Sequence, residues 1–264
     1  MRGGSLTVVG SGIGFLSQLT PETRLAVESA ELALHDGDAA TLRALRRWNP
    51  RTESLDPDPP RQATYDRIVD RILAEVHRGV RLCAVFYGHP GVFVLVAHEA
   101  VRRCRAEGIP ARMLPGISAE DCLFADLGLD PGICGCQCFE ATDFLMRRKG
   151  FDPASPLILW QVGLVGSLGC DAAPNLAARR VLVEALSPTY GPRHPVTLYQ
   201  AAQFPVCPPD IRSFPLCELE SAVISPFSTL YITPVRRTAA DLEMARRLGI
   251  PPETIGGPRP GGRP

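Results

Sequence analysis

Apolar positions along the chain follow two rhythms: short continuous runs, and longer stretches repeating near every 3.6 residues. Leu6-Thr7-Val8-Val9, residues 31–35, Leu82-Cys83-Ala84-Val85-Phe86 and Ala111-Arg112-Met113-Leu114 predict strands, the longest run being apolar enough to be buried on both faces. Tyr65, Ile68, Val69, Ile72 and Val76 share one face of a helix expected over residues 64–78 and stopped by Gly79. Val92, Val96, Ala100 and Val101 mark another helix, ending at Gly108. Thr20 as N-cap with Pro21 in the first turn opens a third, and Ser118 with Asp121 three residues on opens a fourth that closes at Gly128. Residues 41–48 predict a short helix, and residues 49–60, rich in Pro and Asp, an exposed loop. Beyond these, Pro156-Leu157-Ile158-Leu159-Trp160, Val196-Thr197-Leu198-Tyr199 and Thr229-Leu230-Tyr231-Ile232 predict strands, with helices over 175–186 and 237–248. Residues 249–264, rich in Pro, Gly and Arg, predict a frayed tail.

Three of the expected strands run into glycine turns: Gly10-Ser11-Gly12-Ile13-Gly14, Tyr87-Gly88-His89-Pro90-Gly91 and Pro115-Gly116-Ile117-Ser118. Glycine lets backbone approach a ligand with no side chain between them. In open α/β sheets, small molecules bind beyond the carboxyl ends of the strands. The first loop is not a dinucleotide fingerprint, because Phe15 stands where a small residue is required and the helix starts later, at Pro21. An ordinary strand-to-helix turn accounts for the glycines as well. Capping accounts for Ser118, and a core position accounts for Tyr65.

A chain of 264 residues, 45% of them hydrophobic, can bury a large core as one long domain or two halves. Lysines and arginines balance aspartates and glutamates, 28 against 28, which gives no electrostatic footprint for nucleic acid or an anionic lipid surface. No apolar run approaches the roughly 20 residues that span a bilayer, and no secretion signal opens the chain, so a cytoplasmic protein is expected. Nine cysteines then read as reduced thiols. Cys134-Gly135-Cys136-Gln137-Cys138 is the one cluster; in a strand its three thiols would share a face, but the spacing is not that of a zinc site. No metal is expected.

Gly10-x-Gly12-x-Gly14, Gly88-His89-Pro90-Gly91-Val92-Phe93, Pro115-Gly116-Ile117-Ser118 and Ser228-Thr229-Leu230 together resemble the tetrapyrrole methylase superfamily, over the chain up to about Gly249. Within it, Tyr87-Gly88-His89-Pro90, Phe124-Ala125-Asp126-Leu127-Gly128, Phe139-Glu140-Ala141-Thr142-Asp143 and Trp160-Gln161 resemble the borosin peptide backbone α-N-methyltransferases. Most superfamily members carry Gly-Asp-Pro where this chain has Gly88-His89-Pro90. The resemblance implies an α/β fold of two subdomains, residues 1–114 and 115–250, with S-adenosyl-L-methionine in the cleft between them and S-adenosyl-L-homocysteine as product.

An amide nitrogen is a poor nucleophile because its lone pair is delocalised into the carbonyl. Its methylation needs a proton acceptor and a group to hold charge developing on the oxygen. The resemblance gives these tasks to an arginine, a tyrosine four residues later and the tyrosine heading Gly-His-Pro-Gly. Arg61, Tyr65 and Tyr87 stand at those positions. A neighbouring guanidinium is expected to favour the tyrosinate. A further tyrosine that relatives carry ahead of the arginine is absent here, the loop holding only Asp56 and Asp58 as acceptors.

For the cofactor, the resemblance implies Gly88, His89, Pro90, Val92 and Phe93 on one wall. Ser118, Ala119, Gln161, Tyr199, Ala201, Ser228 and Thr229 complete the pocket. It further implies a homodimer and, since nothing like a core peptide follows Gly249, a separate precursor peptide as substrate. Two other readings stay open: a methyltransferase of the same fold acting on a tetrapyrrole or other small molecule, which the missing loop tyrosine favours, and a non-catalytic binding relative.

Overall fold

The computed structural model describes residues 3–55, 61–167, 175–236, 239–251 and 254; the side chains of residues 61–64 and 134 lie outside that description. The first half is a parallel sheet of β1 (Ser5–Gly10), β2 (Leu32–Asp36), β3 (Thr52–Ser54), β4 (Arg81–Phe86) and β5 (Ala111–Met113), in the order β3-β2-β4-β1-β5. Leu6, Val8, Leu82, Ala84 and Phe86 point to one face, where α3 (Arg61–His77) and α4 (Leu95–Ala106) cover them. Val9, Ala33, Cys83 and Val85 point to the other, beneath α1 (Pro21–Ser29) and α2 (Ala39–Leu45). Burial of both faces is why these strands read as unbroken apolar runs.

The second half begins with α5 (Ala119–Leu127) and α6 (Pro131–Cys134) and holds a mixed sheet. Its strands are β6 (Gln137–Glu140), β7 (Leu157–Trp160), β8 (Pro195–Gln200), β9 (Asp210–Pro215) and β10 (Thr229–Ile232), ordered β6-β7-β10-β8-β9. Leu157, Leu159, Leu198 and Leu230 pack under α7 (Ala141–Met146) and α8 (Leu176–Tyr190). The opposite face, with Ile158, Trp160, Tyr199 and Tyr231, packs on Leu123 of α5 and on Ile13 from the first glycine loop. The two halves thus share an apolar cluster. No helix among the described residues is long and apolar enough to cross a membrane.

Caps and stops fall where the residue types demand. Thr20 accepts the Thr23 N–H, Ser118 and Asp121 form a reciprocal capping box, and Gly79 and Gly128 are left-handed. Several boundaries differ from expectation. The helix expected over 64–78 starts at Arg61, so that residue lies inside the first turn rather than ahead of it. The helix expected from Val92 starts at Leu95, because Phe93 takes a left-handed φ of 56° that cannot continue into a helix. Residues 49–60 are not wholly an exposed loop: Thr52–Ser54 pair with β2, and buried Asn49 donates to the Val27 and Ala30 carbonyls; residues 56–60, with Asp56 and Asp58, lie outside the described residues. The cysteine cluster is split, Cys134 ending α6 while Cys138 lies in β6. The last helix, α9, is shorter than expected, Leu242–Arg247 with Asp241 as N-cap. Nearly all of the tail, residues 255–264 included, lies outside the description.

Candidate active site

The connection from β1 crosses to β2 on one side of the first sheet, and the connection from β4 crosses to β5 on the other. The switch point between β1 and β4 is where such sheets open a crevice. Gly10 and Phe86, paired in register, end those strands there. All three glycine turns meet at this point. Gly12 and Gly88 exchange backbone hydrogen bonds of 3.2 and 3.0 Å. A Cβ on Gly10 would lie 2.1 Å from the Gly88 carbonyl oxygen, and one on Gly116 would lie 3.0 Å from the same atom. The first loop does not offer its amides to a phosphate: the Ile13 and Gly14 N–H groups both donate to Gln18 Oε1 at 2.8 Å.

Helix α3 runs back along the first sheet from the amino end of β4. Its 17 residues rise about 25 Å, enough to return the first turn, Arg61 to Tyr65, to the carboxyl edge of a six-residue strand. Tyr65 is half-buried against the first-sheet core. Tyr87 follows β4 and is 38% exposed. Its phenol accepts from Gln203 Nε2 at 3.5 Å. His89 accepts the Gly91 N–H on Nδ1 at 2.9 Å, which makes the ring part of its own turn. Pro90 is buried, while Val92 and Phe93 are exposed.

The second half contributes one end of its sheet. Because β10 is antiparallel to both neighbours, its first residues lie beside the last residues of β7 and β8, with Thr229 opposite Tyr199. Gln161, Ala201, Ser228 and Thr229 therefore gather at one edge. The Val162 N–H donates to the Ser228 carbonyl, and Ser225 Oγ donates to Gln200 Oε1 and lies 3.2 Å from Ser228 Oγ. Gln161 holds a left-handed φ of 54°. Phe93, from the first half, shares that conformation, as do Leu16 and Arg148, and strain of this kind collects at ligand sites. The Phe93 ring, from the first half, meets Trp160 of the second edge-on at 6.1 Å.

Over residues 5–152 the sequence matches the family described as Tetrapyrrole (Corrin/Porphyrin) Methylases. The chain belongs to the tetrapyrrole methylase family. It is 38% identical over 261 residues to a methyltransferase/ribosomally synthesized type I borosin cyclic peptide precursor, sveMA, from Serendipita vermifera subsp. bescii, covering 95% of this chain and 64% of that one. A protein of the same description from Coprinopsis marcescibilis, cmaMA, is 36% identical over 264 residues, covering 94% and 68%. The chain thus spans about two thirds of the length of these curated relatives. Among solved structures, uroporphyrin-III-C-methyltransferase from Thermus thermophilus superposes with a TM-score of 0.63 at 22% identity, covering 94% of this chain and 97% of that one. That likeness is one of fold.

Within this member of the tetrapyrrole methylase family, several expected pocket residues already have occupied side chains. Tyr199 is buried, and its hydroxyl donates to Asp126 Oδ2 at 2.7 Å, tying β8 to α5. Ser118 spends its hydroxyl on the capping box, and Ala119 follows it as the first residue of α5. Ser228 is buried in its own turn. Described neighbours act on the Tyr87 phenol electrostatically. Burial pushes its phenol above the usual value, the charges of Cys122 and Asp38 add to that, and the Gln203 contact opposes it. The guanidinium expected to lower it belongs to Arg61, whose side chain lies outside the described residues. Gln203, which had no place in the sequence reading, lies in a proline-flanked loop whose only sequence signal is its position just after β8.

Proposed function

We propose that the chain transfers the methyl group of S-adenosyl-L-methionine to backbone amide nitrogens of a ribosomally made peptide. The crevice between lobes 1–114 and 115–250 is where it does so. The observation that carries the reading is the setting of Tyr87, a part-exposed phenol at the switch point, heading the Gly88–Gly91 turn and met from the other half by Gln203. Supporting it, the relatives named above are printed as methyltransferase/cyclic-peptide-precursor proteins.

The residues present fit the cofactor. Gly10, Gly88 and Gly116 crowd one another so closely that backbone groups, not side chains, line this corner. The half-exposed Phe93 ring offers a π face to a sulfonium cation. In this proposal Gly88, Pro90, Val92 and Phe93 hold the methionine part and ribose, with His89 shaping their turn. Ala119, Gln161, Ala201 and Thr229, with backbone at Ser118, Tyr199 and Ser228, complete the nucleoside side. The bound cofactor supplies an electrophilic methyl group. Tyr87 takes the amide proton, Arg61 holds the amide oxygen as charge develops there, and Tyr65, one turn along α3, shares the face of Arg61. Because burial raises the Tyr87 pKa, the phenol rests protonated at neutral pH, and turnover rises with pH toward that pKa. The acting form is a cytoplasmic homodimer, and the acceptor a separate precursor peptide.

The test supplies the 264-residue chain with methyl-labelled S-adenosyl-L-methionine and synthetic acceptor peptides in trans, read by tandem mass spectrometry. Label on backbone amides is expected, falling about 10²-fold or more in Tyr87→Phe and also in Arg61→Ala and Tyr65→Phe. Label passing to a porphyrinogen ring but not to any peptide, or turnover indifferent to all three substitutions, defeats the reading.

A further inference from the structure

Tyr87 belongs to the first half of the chain, yet the one hydrogen bond its phenol makes among the described residues comes from the second. Gln203 is not at the end of a loose loop. Its carbonyl accepts the Phe15 N–H at 2.7 Å, and the adjacent Phe204 ring packs on Phe15 at 5.8 Å. Phe15 continues the glycine loop whose Gly12 is bridged to Gly88, next to Tyr87 itself. A single backbone frame therefore holds both the phenol and the carboxamide.

We infer that Gln203 is the positioning residue for Tyr87: its side-chain N–H donates to the phenol oxygen, and the loop after β8 carries that donor across from the second half. The use of this contact in catalysis rests on the reading of Tyr87 as proton acceptor; the contact itself does not.

The surroundings explain why a donor is needed there. Asp38 at the head of α2 and Cys122 on α5 both work against a negative phenolate, as does burial, and among the described residues Gln203 is the group that works for it. Cys122 is itself held by Gln18 Nε2 at 3.3 Å, so its thiol faces a donor of its own rather than the phenol oxygen. A carboxamide is neutral, so it favours the phenolate without holding a permanent ion pair. The phenol can then rest protonated and give its proton to solvent, to which it is part-exposed, before it takes the amide proton.

The deciding experiment reads the phenol directly. 3,5-Difluorotyrosine placed at position 87 brings the ionisation into the neutral range and reports it by fluorine NMR. Gln203→Leu should raise the titration midpoint by about one pH unit, the equivalent of one lost hydrogen bond to a charged group. Gln203→Glu, of the same shape, should raise it further, because a carboxylate adds charge and removes the donor. The isosteric variant decides the matter even if leucine disturbs the loop. Midpoints unchanged in both variants overturn the inference, as does a fall in Gln203→Glu. In the native enzyme the same variants should lower kcat about tenfold below the midpoint, one unit of pKa being a factor of ten, with KM for the peptide unchanged. The titration is independent of turnover. A shifted midpoint with no peptide methylation would therefore reject the proposed function and keep this contact, whereas peptide methylation with no shift would do the reverse.

Discussion

Gly10→Ala isolates the closest backbone approach at the switch point. Gly10 ends β1 without a left-handed φ, so alanine costs nothing in backbone conformation there. Its Cβ would lie 2.1 Å from the Gly88 carbonyl oxygen and 2.8 Å from Pro90 Cδ. Neither atom belongs to a side chain that can rotate away, so the Gly88 segment must retreat by about 1 Å to reach even the tightest contact seen for a Cβ. That movement opens the reciprocal Gly12–Gly88 hydrogen bonds. Two backbone bonds at about 1 kcal/mol net each, with about 1–3 kcal/mol of overpacking, make a loss of about 3–5 kcal/mol. At about 2–4 °C per kcal/mol for a chain of this size, Tm should fall by about 6–20 °C. Gly108→Ala is the control. It has φ +74° and nothing within 4 Å of the added Cβ, so it carries conformational strain alone, about 1–2 kcal/mol. Thermal melts followed by circular dichroism compare the two, and calorimetric titration with S-adenosyl-L-methionine should show affinity lost in Gly10→Ala and kept in Gly108→Ala. A Gly10→Ala protein melting no lower than Gly108→Ala would refute the steric reasoning.

Burial holds His35 below its ordinary value of 6.5, with Nδ1 on the Val85 carbonyl and Nε2 unpartnered among the described residues. The unfolded chain therefore takes up this proton first. The stability involved is fully present above about pH 6.5 and is lost as pH falls toward the folded pKa, so urea midpoints of His35→Gln should depend less on pH between about 7 and 5 than those of the native chain. Phe93→Gly removes a left-handed φ strain of about 1 kcal/mol and the edge contact with Trp160. The melting temperature should hold or rise while affinity for S-adenosyl-L-methionine drops, and unchanged affinity would take Phe93 out of the pocket. Cys207 and Cys217 are exposed, whereas Cys83 is fully buried with its thiol pushed up to about 12. A disulfide reagent at pH 8 should label the first two within the native protein and Cys83 only on unfolding; rapid labelling of Cys83, mapped by peptide mass, would contradict the core assignment.

Features that depend on atoms a few residues apart were legible in the sequence. The Thr20 cap, the Ser118–Asp121 box and the Gly79 and Gly128 stops are each decided within one helical turn. Runs such as 82–86 are apolar because two layers of helices cover them, so their composition alone marks a buried strand. Thr52–Ser54 and Asp210–Pro215 carry no such mark. They are polar edge strands that exist because β2 and β8 offer them a ladder. The start of α4 lies three residues past Val92 because Phe93 is left-handed, a conformation that its residue type does not announce. At the site, each glycine turn could be named from the run preceding it. Their meeting at one backbone oxygen follows from the strand order, which brings β4 between β2 and β1. The partner of Tyr87 was beyond any local pattern: Gln203 lies 116 positions away, and only the packing of one half on the other makes it a neighbour. Sequence by itself determined which short segments would be strands, helices and turns, and which residue types could do the chemistry. Tertiary structure decided which of those residues face one another, because hydrogen bonds and charges act over a few ångströms of space and are indifferent to distance along the chain.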